Sequence, residues 1–158
     1  MVSGVVLRAA FSIIIRGLLM SAMSHYLESG LIGHIFKGIT FSPPTGIYIG
    51  LVGNYNSGAL ESGLFTQELS GGSYARVSGG PGVTYWAEAV ASGQTHNLSA
   101  LQFPTATSDW GYVSGVFVAD AAGSEANILL YGQLNSAKNV TNGDTFSFAS
   151  VDLDIFFK

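Results

Sequence analysis

Cysteine is absent from this chain. That excludes disulfide staples, thiolate zinc sites and a cysteine nucleophile, and it leaves the redox compartment open. Charge is scarce as well, at 10% of residues, with six Lys/Arg against ten Asp/Glu and a net charge of −4. From Ile39 onward only Arg76, Lys138 and Lys158 are basic, so that region carries no electrostatic footprint for nucleic acid. Histidine occurs only at His25, His34 and His96, and no Gly-x-Ser-x-Gly, His-Glu-x-x-His, Walker or dinucleotide pattern appears. Serines abound, but nothing in the sequence marks a nucleophile–base–orienter set. No catalytic residue, metal or cofactor is assigned.

What is abundant is glycine, at 21 residues, within a 47% apolar chain of 158 residues. Such a composition suits one β-rich domain whose surface is partly covered by copies of itself or by a partner. Between Tyr112 and the end, three apolar runs of strand character, Tyr112–Ala119, Ile128–Leu134 and Thr145–Phe157, are separated by turn-forming clusters. In the last run Val151, Leu153 and Ile155 alternate with Asp152, Asp154 and Phe156, which puts aliphatics on one face and carboxylates on the other. Alternation alone accounts for Asp152 and Asp154 as a solvent face that resists edge pairing. Asn142-Gly143 supplies the residues of a tight turn.

Upstream, Ile47–Val52, Val83–Ala87 and Leu98–Phe103 read as further strands, with a long polar loop from Gly53 to Gly82. Leu27, Leu31 and Ile35, with Ile32 and Phe36, recur at helical spacing between Ser24 as N-cap and Gly38 as the left-handed stop. His25 and His34 lie nine residues apart on that helix, on opposed azimuths. The expected architecture is mainly β: a small antiparallel β-sandwich, jelly-roll-like or immunoglobulin-like, with one short N-terminal helix. Its divisions are an apolar arm over 1–23, the helix over 24–38 and the sandwich over 39–158. The apolar stretch between Arg8 and Arg16 is too short to span a bilayer. As a secretory signal with Ser21-Ala22 near a cleavage site it fits poorly, because basic residues flank it on both sides. An over-extended start before Met20 or Met23 is preferred. A translated arm is expected to be helical or disordered and to pack on a neighbour.

Aromatics in or beside Gly/Ser/Asn loops are the functional clue, since rigid rings among adaptable polar groups make a recognition surface. The candidate partner- or receptor-binding residues are Tyr55, Tyr74, Arg76, Trp86, Trp110 and Tyr112. For any one ring, burial in the core is the simpler alternative.

Several short motifs together carry a family resemblance. They are Tyr26-Leu27-Glu28-Ser29-Gly30-Leu31, Pro43-Pro44 running into Ile47–Leu51, Gly71-Gly72-Ser73-Tyr74-Ala75-Arg76 and Phe103–Thr107 leading to Trp110-Gly111. Asp120-Ala121-Ala122, Leu130–Leu134 and Gly143–Phe148 continue the series. From about Ser24 to the end the chain resembles the short tail-fibre-like virion proteins of tailed bacteriophages. The resemblance implies a non-enzymatic structural component of the virion, assembled in the host bacterial cytoplasm. Its expected partners are other virion proteins of tail or capsid, further copies of itself (a trimer being one arrangement) and a host surface glycan or receptor, with no nucleic acid. A capsid decoration or cement protein and a carbohydrate-binding module are the alternatives.

Overall fold

The computed structural model describes residues 12–15, 18–20, 22–88 and 93–157. In chain order these form β1 (Ser12–Ile15), β2 (Leu18–Met20), β3 (Ala22–Met23), α1 (His25–Lys37), β4 (Tyr48–Val52) and α2 (Ser57–Glu61). There follow β5 (Val77–Ser78), β6 (Gln94–His96), β7 (Leu101–Gln102), β8 (Gly111–Ala119), β9 (Ile128–Val140), β10 (Thr145–Phe148) and β11 (Leu153–Phe156).

The strands make a small, mainly β sandwich. One layer is a five-stranded antiparallel sheet in the order β3-β9-β8-β4-β5. Against it stand two three-stranded sheets, β1-β10-β7 and β2-β11-β6. Ile49 and Leu51 of β4, Val116 and Val118 of β8, and Leu130 and Leu134 of β9 point into the space between layers. Phe146, Phe148, Leu153 and Ile155 fill it from the other side. Phe103, Phe146 and Phe148 meet edge to face, with centroids 5.7 and 5.5 Å apart. Each such buried side chain contributes about 1.5–3 kcal/mol relative to exposure, so this seam dominates the stability of the domain.

The intervening residues of the same strands, Val52, Phe117, Ala119 and Tyr131, face the opposite side, where Leu60 of α2 covers them. Burial on both faces explains why β8 reads as an unbroken apolar run. Gly50 and Phe117 are register partners across β4 and β8, and the Phe117 ring occupies the space a Cβ at position 50 would need, with Cζ 2.1 Å from it.

Helix α1 forms where its caps dictate. The Ser24 side chain accepts from the Leu27 N–H at 3.3 Å, and Gly38 closes the helix at φ 66°. Ser24 also ties the helix to β9, its N–H donating to Leu129 O at 3.0 Å and its hydroxyl to Ile128 O. Leu27 packs on the core, and Gly30 admits the ring of Phe41 from the segment that follows the helix.

Several expectations give way to the structure. Over Ser12–Ile15 and Leu18–Met20 the arm is strand, pairing in parallel with β10 and β11; residues 1–11 and the cleavage position at Ser21 lie outside the described residues. The terminal run is two strands, because Val151 adopts φ 63° in a turn where Asp152 N–H bonds Ala149 O. Val151 is accordingly exposed and does not share a face with Leu153 and Ile155, which are buried. Asp152 caps that turn, its carboxylate accepting from Ala149 N–H at 3.3 Å, instead of lining a strand face with Asp154.

Residues 83–87 are a turn with a single bridge from Trp86 to Asn97. Positive φ at Gly80 and Gly82 curls the chain there, and both Tyr85 and Trp86 N–H groups return to Gly82 O. Of Leu98–Phe103 only Leu101–Gln102 is strand. The polar stretch 53–82 contains α2, capped by Asn56 at 3.2 Å from Ala59 N, and β5 on the edge of the large sheet. Strand β9 runs six residues beyond the expected Leu134. No helix among the described residues is long and apolar enough to cross a membrane.

Candidate functional site

The motif Gly71–Arg76 builds the most elaborate polar arrangement among the described residues. Gly71, Gly72 and Ser73 all have positive φ, at 76°, 53° and 66°, the left-handed region that glycine tolerates and serine rarely visits. This tight curl is held from three sides. Tyr74 N–H returns to Gly71 O at 2.8 Å, and Thr107 N–H donates to Gly72 O at 3.0 Å. Trp110 Nε1 donates to the same Gly72 carbonyl at 2.8 Å, and the Ser73 and Thr107 hydroxyls meet at 2.8 Å.

The curl aims Tyr74 and Arg76 inward. The Tyr74 hydroxyl accepts from Leu51 N–H at 2.8 Å and donates to Glu68 Oε1 at 3.0 Å. Its ring lies edge-on to Trp110 at 5.5 Å and parallel to Phe103 at 6.3 Å. Burial, and after it the Glu68 carboxylate, pushes the Tyr74 phenol far above its ordinary value, so it remains a neutral donor. Arg76 forms a two-pronged pair with Glu68 at 2.8 and 2.7 Å. Its remaining Nη1 bonds the carbonyls of Ala121 and Gly123 at 3.0 and 2.8 Å. The guanidinium also lies over Phe65 and Phe117, 4.2 and 5.0 Å from their ring centres.

Thus Tyr74, Arg76 and Trp110 are brought together, and all three support a loop rim. Outside them lies a shallow cleft of about 440 Å³ lined by Phe65, Leu69, Ser70, Gly71, Ala122 and Ser124 among others. The other candidates stand apart. The Tyr55 ring is half-buried above Gly115, and burial raises its phenol pKa. Trp86 is half-buried, with Nε1 donating to Gly80 O at 2.8 Å, beside an apolar cleft of about 320 Å³ that also includes Leu27, Pro43, Ile47 and Phe157. Tyr112, 65% exposed at the start of β8, is the candidate that stands most open to a partner.

Sequence reasoning missed Glu68, the anion that unites Tyr74 with Arg76. It also missed Asn97, a buried amide whose Nδ2 donates to Ser99 O and Ala149 O, at 2.8 and 2.7 Å, while Oδ1 accepts from Leu153 N–H at 2.9 Å. Glu68 and Arg76 are joined by chain that is neither helix nor strand, so no periodic pattern connects them and only the folded loop reveals that pair. The chain's carboxylates repeatedly close turns: Asp120 takes Asn127 N–H at 2.7 Å and Asp144 takes Thr141 N–H at 2.8 Å. Among the described residues no group of three or more His, Asp or Glu side chains is placed to hold a metal ion.

Comparison with known families agrees with the resemblance carried by these motifs. Residues 22–156 match the family described as Gp80, podophage GP4 fiber I protein gp80, and the chain belongs to it. No curated protein matches the chain.

Proposed function

We propose that this member of the podophage fibre family serves as a non-enzymatic structural part of the tail, built into the virion through other virion proteins and copies of itself, and that it contributes to host-surface attachment. The observation that carries this reading is the family match over residues 22–156. The side-chain chemistry supports it. Arg76 and Glu68 neutralise each other inside the fold, and the clustered aromatics brace backbone instead of converging on a reactive group.

In this reading α1 lies on the assembly side and the exposed aromatics, Tyr112 foremost, belong to the receptor side, for which a host surface glycan is the expected chemistry. Rings presented on a rigid sheet give contact area at low entropic cost. Immunogold labelling of intact particles with an antibody against the chain tests the placement. Label on the tail is expected. Label spread over the head would make it a capsid cement protein, and no label would remove it from the mature particle.

A further inference from the structure

Val151 occupies a backbone position that valine avoids. It is the third residue of the turn that Asp152 N–H closes on Ala149 O at 3.3 Å. There it has φ 63°, in a place that glycine or asparagine ordinarily takes. Ser73 is the other non-glycine residue with positive φ among the described residues, and its hydroxyl meets that of Thr107. Val151 has no such compensation, and its side chain is left 55% exposed.

The turn is nevertheless held from several sides. Buried Asn97 accepts Leu153 N–H on Oδ1, donates from Nδ2 to Ala149 O, and takes Val151 N–H on its backbone carbonyl at 2.9 Å. The Asp152 carboxylate accepts Ala149 N–H, and the Ser150 hydroxyl donates to Leu98 O at 2.8 Å. Backbone strain that its surroundings over-determine in this way clusters at ligand clamps and other functional positions. What the network achieves is to thrust the Val151 side chain outward beside Leu98, itself 41% exposed. Leu98 N–H bonds Tyr85 O at 2.9 Å, so Tyr85, 46% exposed, stands next in the row.

We infer that Val151, Leu98 and Tyr85 form a contact spot for a neighbouring protein of the particle, an assignment that rests on the fibre reading above. The chemistry selects a protein over a glycan. Asn97, Ser150 and Asp152, the polar side chains that shape the turn, are already bonded within it and to its neighbours, and what faces outward is chiefly aliphatic. A sugar is oriented by convergent polar groups, whereas a protein partner is held by apolar anchors. The area selects a tethered partner over a free one. The three side chains expose roughly 250 Å², near the scale at which an apolar patch marks an interaction site. That is about a third of the 800 Å² each partner gives to a standard interface. It is too little to hold a further copy in solution, but enough where assembly already keeps the partner at high effective concentration. The spot lies where β10 gives way to β11 in the small layer, whereas Tyr112 belongs to the large sheet, so it does not compete with the proposed receptor side.

The test compares particles grown with Val151→Asn against parental particles, counting chains per particle by quantitative immunoblot. Asparagine suits the turn, so the purified variant should melt no lower than the parent chain. Its particles should nonetheless carry at least threefold fewer copies. Val151→Ile, which keeps a branched apolar side chain, should hold the parental count, and light scattering should give all three chains the same mass in solution. Should Val151→Asn melt lower than the parent, Leu98→Gln, which leaves the strained residue in place, decides by the same count. A parental count for Val151→Asn overturns the contact. So does a parental count with slowed adsorption to host cells, which would give the spot to a receptor, and so does a changed mass in solution, which would make it a seam between copies. These results leave the fibre reading intact. Parental particles that carry no chain at all would remove that reading, and the contact with it.

Discussion

Arg76 and Glu68 grip each other through two parallel hydrogen bonds of 2.8 and 2.7 Å, with side chains only 5% and 15% exposed. The pair joins the Gly71–Arg76 curl to the loop before it, and Tyr74 and two carbonyls of the β8–β9 connection complete the set. A buried pair of this kind is hard to break from one side, because the surviving charge is left without a partner.

Arg76→Ala is therefore expected to lower unfolding free energy by about 3–5 kcal/mol, measured by urea denaturation. Arg76→Lys should recover only part of the loss, since an ammonium cannot reproduce the fork or the stacking on Phe65. The double change Arg76→Met with Glu68→Leu should cost less than either single truncation. A double-mutant cycle showing simple additivity would remove the pair from its structural role.

Tyr74 gives this region a pH signature. Its folded pKa is raised by burial and by Glu68, so the native state holds its proton more tightly than the unfolded chain. The resulting stability is complete below the unfolded value near 10 and is lost as pH rises beyond it. Unfolding free energy should fall with a steeper slope above that pH in the parent chain than in Tyr74→Phe. Equal slopes would mean the phenol is not shielded.

Gly50 lies under the Phe117 ring, where an added Cβ would approach to 2.1 Å. Gly50→Ala should destabilise by about 1–3 kcal/mol or more, the range for overpacking. In the pair Gly50→Ala with Phe117→Leu the penalty should shrink. Thermal melts of the three variants check this.

Val151 makes the opposite prediction. It is a β-branched residue at φ 63° and 55% exposed, so it bears left-handed strain of roughly 1–2 kcal/mol with little packing in return. Val151→Asn should leave stability unchanged or raise it by up to about 1 kcal/mol, read as a higher melting temperature. A clear loss would show that the valine is held by contacts beyond its turn.

These cases also mark what was legible in the sequence. The boundaries of α1 could be read because Ser24 and Gly38 act on their own neighbours, and the central strands could be read because burial writes a local period. Leu153 and Ile155 followed their alternation, but Val151 left it, since a turn fixed by Asn97 and Asp152 lies outside any periodic pattern. The polar half of β9 was hidden because its pairing partners on β8 supply backbone bonds without an apolar stripe. At the candidate site the sequence singled out Tyr74, Arg76 and Trp110 as partner-facing residues without relating them to one another, and the fold brings the three together to brace a loop. The sequence could not foretell that Glu68 would sit between the phenol and the guanidinium. Which way a ring points depends on residues dozens of positions away.

The proposed receptor side can be examined independently of stability. Because Tyr112 is well exposed, Tyr112→Ala should change the melting temperature little while slowing particle adsorption to host cells several-fold. Adsorption at the parental rate would take this ring out of the attachment surface.

The bond between Ser24 and β9 has a mechanical consequence. Helix α1 is anchored at its first turn, to Leu129 and Ile128, while its last turns stand clear of the sheet. It is thus a lever with a fixed base. A load applied near Phe36 would be delivered through that base into the longest strand of the domain, and from there across the hydrogen-bonded ladder to β8. A tug on the helix would be shared by the whole sheet instead of peeling it from one edge, which suits the attachment role proposed above.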